Sequence, residues 1–148
     1  MYIISLYYQQ MDTIILYMEL KMKKINELNV LVVDDSKTIC RINKMIVTQM
    51  GVNNCDTAED GSVGLKLFMK NDYDLVLSDI NMPVMNGFEF VAEIRKRKSK
   101  DECPVFMITT EGGKQEVLRA LKLGANNYLV KPLDKDNLIQ KIEDLYQA

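Results

Sequence analysis

Residues 30–36 read Val-Leu-Val-Val-Asp-Asp-Ser, an apolar run of four that ends abruptly in two carboxylates and a hydroxyl. A short, β-branched run of this kind predicts a strand buried on both faces, as in a parallel sheet. Ser36 is placed to cap a following helix, with Ile39, Ile42, Ile46 and Met50 as its expected inner face and Gly51 as its end. The same grammar repeats downstream. Apolar runs occur at Asp74–Leu77, Val105–Ile108 and Asn127–Val130, with a weaker one at Asn54–Thr57. Amphipathic stretches separate them. Asn86 and Glu89 read as the start of a helix carrying Phe90, Val91 and Ile94. Val117 and Leu121 precede Gly124, and Leu138, Ile142 and Leu145 form the last stripe. Five strand–helix units in a row predict a doubly wound α/β sheet with right-handed crossovers and helices on both faces.

Ligands of an open parallel sheet bind beyond the carboxyl ends of its strands. The sequence sets polar groups there: Asp34 and Asp35 after the first strand, Asp79 after the third, Thr109 after the fourth and Lys131 after the fifth. One carboxylate after a strand is ordinarily a cap or a solvated turn residue. Four segments aiming acid, hydroxyl and ammonium at one crevice predict a site.

The chain has 148 residues, 19 Lys plus Arg against 21 Asp plus Glu, and a formal net charge of -2. That balance gives no electrostatic case for nucleic acid as a partner. There is no histidine, which removes histidine catalysis and the usual zinc sites. Cys40, Cys55 and Cys103 are scattered and predict buried free thiols in a reducing, cytoplasmic setting. The first 21 residues hold four of the seven tyrosines and an apolar pattern broken by Gln9, Gln10 and Asp12. They fit neither a membrane span nor a secretory signal. Residues 1–27 are expected to stand outside the domain at 28–148, with Met22 as the natural start of translation. The alternative is an added element that packs on the domain or on a partner.

VLVVDDS, LVLSDINMPVMNGFEF, VFMITTE and NNYLVKPL, in that order, resemble the receiver domain of response regulators over residues 28–147. The resemblance implies the strand order 2-1-3-4-5, which is that of the chemotaxis receiver. It implies that Asp79 accepts a phosphoryl group and that Thr109 and Lys131 assist. It implies a magnesium ion held by Asp35, Asp79 and the backbone carbonyl of Asn81, with Asp34 acting through water. Three close carboxylates call for such a cation. It implies a cis Lys131–Pro132 bond and a switch made of Thr109 and Tyr128. Asn81 and Glu111 would tune the phosphoryl lifetime, and Lys114 and Tyr128 would belong to the output surface. Asn81, Glu111, Lys114 and Tyr128 match the chemotaxis type, whereas Thr110 is larger than the residue common there. Met82 and Met85 read as packing residues, Pro83 as a restraint on the turn and Gly87 as a residue allowing positive φ.

The implied function is a single-domain, monomeric switch of a two-component system. A histidine kinase would phosphorylate it, and a flagellar motor switch protein would receive the output. A phosphatase is a further possible partner. The alternative is a phosphorelay intermediate that meets a histidine phosphotransfer protein. A small phosphatase of the haloacid-dehalogenase type would need Asp-x-Asp, and Ser36 stands where the second acid belongs. A P-loop around Gly113-Lys114 fails because Ile108 and Gln115 occupy its required positions.

Overall fold

Alternate side chains of a strand face opposite ways, and in the runs at Val30–Val33, Leu75–Leu77 and Val105–Ile108 both sets are apolar, so those strands need helices above and below them. In the computed structural model the described residues are 1–21, 24–110 and 113–147, with side chains described for 1–16, 24–110 and 113–145. The strands are β1 (Asn29–Val33), β2 (Asn54–Ala58), β3 (Leu75–Asp79), β4 (Val105–Thr109) and β5 (Asn127–Val130). They form one parallel sheet in the order β2-β1-β3-β4-β5. The helices are α1 (Tyr2–Lys21), α2 (Lys37–Gln49), α3 (Gly61–Lys70), α4 (Gly87–Arg95), α5 (Lys114–Leu123) and α6 (Lys135–Gln147).

The pleat divides the core into two layers. Leu31, Val33, Val76, Val105 and Met107 face Phe68 of α3 and Phe90, Val91 and Ile94 of α4. Val30, Val32, Leu75, Leu77, Phe106, Ile108 and Leu129 face Val47 of α2 and Leu138 and Ile142 of α6. Strands β1, β3 and β4 are buried almost throughout. The flanking strand β5 is not: Tyr128 and Val130 remain exposed while Leu129 is buried. The expectation of burial on both faces therefore fails at this edge, where only one side of the strand has a neighbour.

Ser36 does cap α2, accepting a hydrogen bond from the Ile39 N–H at 3.3 Å. The inner face of α2 differs from the expected one. Cys40, Asn43 and Val47 are buried, Ile39, Ile46 and Met50 are half-buried, and Ile42 is exposed. The stripe is rotated because smaller side chains meet the sheet while the larger Ile42 and Met45 point outward. Asn86 caps α4 by accepting from the Glu89 N–H at 2.9 Å. Gly124 ends α5 with φ 116°, the left-handed conformation that favours glycine. The three cysteines are free and buried. Burial pushes the thiols of Cys55 and Cys103 up to about 11 and about 12, as expected for inert packing groups.

Helix α1 precedes this domain, and the described side chains of residues 1–16 are all exposed. Among the described residues no helix is long and apolar enough to cross a membrane. Met22, the expected start of translation, lies outside the described residues.

Candidate functional site

Parallel register brings the polar groups together. Val33 pairs with Ser78, so Asp34 and Asp79 come next on neighbouring chains. Thr109 pairs with Val130, so Lys131 follows directly. Asp79 and Thr109 are the last residues of β3 and β4, one position earlier than the sequence reading put them. Being inside the strand fixes their backbones by ladder bonds. The Lys131 N–H adds a further tie, donating to the Thr109 carbonyl at 2.7 Å.

The site has a positive centre and three negative neighbours. Lys131 Nζ lies 2.8 Å from Asp34 Oδ2 and 3.2 Å from Asp79 Oδ2. Asp34 Oδ1 accepts from the Ser36 N–H at 2.9 Å, and Asp79 Oδ1 accepts from the Ile80 N–H at 2.7 Å. Asp34 is 1% exposed and Asp79 7%, whereas Asp35 is open to solvent. Ligand atoms of Asp34, Asp35 and Asp79 all lie within 4.8 Å of one another. Thr109 is buried beside them at 4% exposure. The Lys131–Pro132 peptide bond is cis.

Burial pushes the Asp79 carboxyl up; the Lys131 ammonium opposes this, Asp34 adds to it, and the net direction is upward. Burial by itself lowers the Lys131 ammonium. Its hydrogen bond to Asp34 and the charge of Asp79 outweigh burial, and the net direction is again upward. A small, hard cation fits this donor set: three carboxylates in reach of one point, two buried and one facing water. Magnesium at such a place would neutralise charge that Lys131 alone leaves in excess.

The remaining expected residues scatter around this centre. Asn81 is exposed, just past Asp79. Tyr128 sits on β5 at 37% exposure, with Lys141 Nζ 5.7 Å from its ring centroid. Lys114 is exposed at the start of α5. Glu111 lies outside the described residues. Met82 and Met85 pack on the core, as expected.

Two glycines matter in a way the sequence reading missed. Gly87 is required for space and has no positive φ: a Cβ there would overlap the Asp79 carbonyl oxygen and come within 2.8 Å of Ile80 Cα. Its N–H donates to the Ile80 carbonyl at 2.7 Å. Positive φ falls instead on Val84, at 67°. At Gly61 a Cβ would come within 2.7 Å of the Met85 carbonyl oxygen, which accepts from the Gly61 N–H at 3.1 Å. Arg95 was also missed. Its guanidinium donates to the carbonyls of Gly124 (2.7 Å), Cys103 (2.9 Å), Ser99 (3.2 Å) and Lys98 (3.3 Å) and to Asn126 Oδ1 (2.8 Å). Nothing in a charge pattern signals a cation held by carbonyl groups.

Known proteins resemble this chain in sequence and in fold. The family described as the response regulator receiver domain matches residues 30–143. A chemotaxis protein CheY homolog of Campylobacter jejuni is 45% identical over 119 residues, covering 80% of this chain and 92% of that protein. Chemotaxis protein CheY1 of Helicobacter pylori is 44% identical, covering 78% and 94%. Among solved structures, CheY4 of Vibrio cholerae superposes with a TM-score of 0.74 at 34% identity, covering 80% of this chain and 98% of that one. CheY in a CheX-CheY-BeF3-Mg+2 complex of Borrelia burgdorferi gives 0.73 at 33%, covering 80% and 89%. The match over residues 30–143 and the identity to these relatives show that the chain belongs to the response regulator receiver domain family.

Proposed function

We propose that this protein is a single-domain response regulator whose Asp79 accepts a phosphoryl group from a histidine kinase. One observation carries the reading: Asp34, Asp35 and Asp79 converge within 4.8 Å, and Lys131 bridges the two buried acids. In the step, an Asp79 carboxylate oxygen forms a bond to phosphorus while the P–N bond of the donor's phosphohistidine breaks. The donor imidazole takes up a proton as it leaves. The protein's part is to place the nucleophile and offset charge rather than to supply acid–base chemistry. Asp79 must be ionised to attack, and Lys131 favours the ionised form against the effect of burial. Magnesium held by Asp35, Asp79 and the Asn81 carbonyl, with Asp34 through water, would neutralise oxygens of the transferring group. Lys131 and the Thr109 hydroxyl take up the remaining phosphoryl oxygens.

The output is a change of surface. When Thr109 moves to the phosphoryl group, Tyr128 turns inward from its exposed position, and the face of α5, β5 and α6 changes. Asn81 and Glu111 set how long the phosphoryl group survives water, and Lys114 and Tyr128 meet the partner. Chemotactic output to a flagellar motor switch protein is favoured because relatives named for chemotaxis match this chain over more than nine-tenths of their own length. The receiver, residues 28–148, acts in the cytoplasm as a monomer, with residues 1–27 outside the domain.

Binding to a motor switch protein of the same organism, measured with magnesium and beryllium fluoride, tests this. Binding that strengthens with the mimic and requires Asp79 supports it. A site filled by the mimic with no change in binding would contradict motor output and turn attention to a phosphotransfer protein.

A further inference from the structure

Helix α1 is rich in Ile, Tyr and Thr, residues that lose side-chain freedom in a helix and favour it only weakly. A helix of this kind draws its stability from packing an apolar face. It does not pack on the receiver, since the described side chains of residues 1–16 are all exposed. At about 100° per residue, Ile4, Tyr7, Tyr8, Met11, Ile14 and Ile15 fall on one stripe, with Ile3 at its margin. Leu6 and Leu16 stand off it. Ser5, Gln9 and Thr13 lie opposite, where the Thr13 hydroxyl donates to the Gln9 carbonyl at 2.9 Å. Gln10 and Asp12 occupy the two flanks. The seven stripe residues are between 41% (Met11) and 83% (Ile3) exposed. At these exposures they leave on the order of 800 Å² of mostly apolar surface in water, which matches the roughly 800 Å² that a stable interface covers on each partner. An apolar patch of that size marks an interaction site.

Charge and spacing say what covers it. Between Tyr2 and Leu20 there is no basic residue, only Asp12 and Glu19. A helix that lies on a membrane carries Lys and Arg on its polar face, and anionic lipid would repel this one. No described helix is long and apolar enough to cross a membrane. The stripe carries no charge by which a foreign partner would be selected. An identical stripe matches it in length and spacing. Steps of three and four, from Ile4 through Tyr7 and Tyr8 to Met11, Ile14 and Ile15, are those by which like helices interlock side by side. A groove of about 440 Å³ on the stripe, lined by Ile4, Tyr8, Met11 and Ile15 among others, offers the hole for a partner's side chain. A parallel pair sets the flank carrying Asp12 against the partner's flank carrying Gln10, so like charges stay apart. An antiparallel pair would set Asp12 against Asp12.

We propose that α1 is a homodimerisation element, whose apolar stripe packs in parallel on the same stripe of a second copy of this chain. The receiver takes no part in the contact and is a monomer without it. The test is sedimentation of the full chain from low to high micromolar concentration, beside its Met11→Glu, Ile15→Glu and Gln9→Glu variants. The expected result is a dimeric parent. Met11→Glu and Ile15→Glu raise the dissociation constant at least about a hundredfold, because each change counts twice in a symmetric pair. Gln9→Glu adds the same charge on the opposite side and stays dimeric. Thermal melts of the receiver are the same in all four proteins. A monomeric parent would overturn the proposal, and its flotation with phosphatidylcholine–phosphatidylglycerol vesicles would assign the stripe to lipid instead. A dimer that Met11→Glu leaves intact, or that Gln9→Glu dissociates equally, would overturn it too. So would a native protein whose intact mass begins at Met22, since it would lack the helix.

Discussion

Replacing Lys131 with Met removes the ammonium and keeps most of the side chain's bulk. In the parent that ammonium lies 2.8 Å from Asp34 and 3.2 Å from Asp79. At an effective dielectric of about 20, each contact is about 5–6 kcal/mol of gross Coulomb attraction. Desolvation of three groups takes most of that back, and breaking a buried pair nets about 3–5 kcal/mol because a charge is left uncompensated. Lys131 retains 18% of its side-chain exposure and Asp35 faces water, so the lower end applies. Lys131→Met is expected to lose about 3 kcal/mol at neutral pH without magnesium, lowering Tm by about 10 °C. The pH dependence follows from Asp79. Its carboxyl is already raised in the folded protein, so its ionisation works against the fold as pH rises through the folded value. Without Lys131 it rises further. The deficit of the variant should therefore shrink on moving from neutral to mildly acidic buffer, as Asp79 takes up a proton. Magnesium at ten times its Kd should restore about 1.4 kcal/mol. Urea melts at both pH values, with and without magnesium, measure all three effects. A variant as stable as the parent at neutral pH, or a deficit indifferent to both pH and magnesium, would refute these electrostatics of the site.

Gly87→Ala should destabilise by about 2–3 kcal/mol in urea melts, because its Cβ must displace the Asp79 carbonyl or the start of α4. Magnesium affinity, read by calorimetry, should fall with it. Asn43→Val should stabilise by about 1–2 kcal/mol, since Asn43 is 3% exposed and its Nδ2 has no hydrogen-bond partner among the described residues. A loss of stability on denaturant titration would mean that amide is satisfied. Arg95→Lys should cost about 2 kcal/mol despite keeping the charge, because one ammonium cannot replace a fork that reaches four carbonyls and Asn126. Equal thermal stability of the two proteins would show the fork is not needed.

The fold and most of the site were legible because both lie in short-range signals. Apolar runs with a polar residue at the end located the strands, and their carboxyl ends located Asp34, Asp79, Thr109 and Lys131. What remained hidden depends on approach between distant segments. Gly87 serves contact with Asp79 rather than a turn, which spacing cannot reveal. The positive φ belongs to Val84, where sequence preference argues against it. The inner face of α2 differs from the apolar stripe Ile39, Ile42, Ile46 and Met50 because Cys40, Asn43 and Val47 are the residues turned toward the sheet. Arg95 binds carbonyls supplied by two loops, and no charge partner in the sequence marks it.

The most direct test of phosphoryl transfer to Asp79 is incubation of the full chain with acetyl phosphate and magnesium, followed by intact mass and peptide mapping. The expected result is a gain of one phosphoryl group on Asp79, dependent on magnesium and absent in Asp79→Asn. A phosphoryl group on another residue, or none under conditions where magnesium binding is demonstrated, would contradict it.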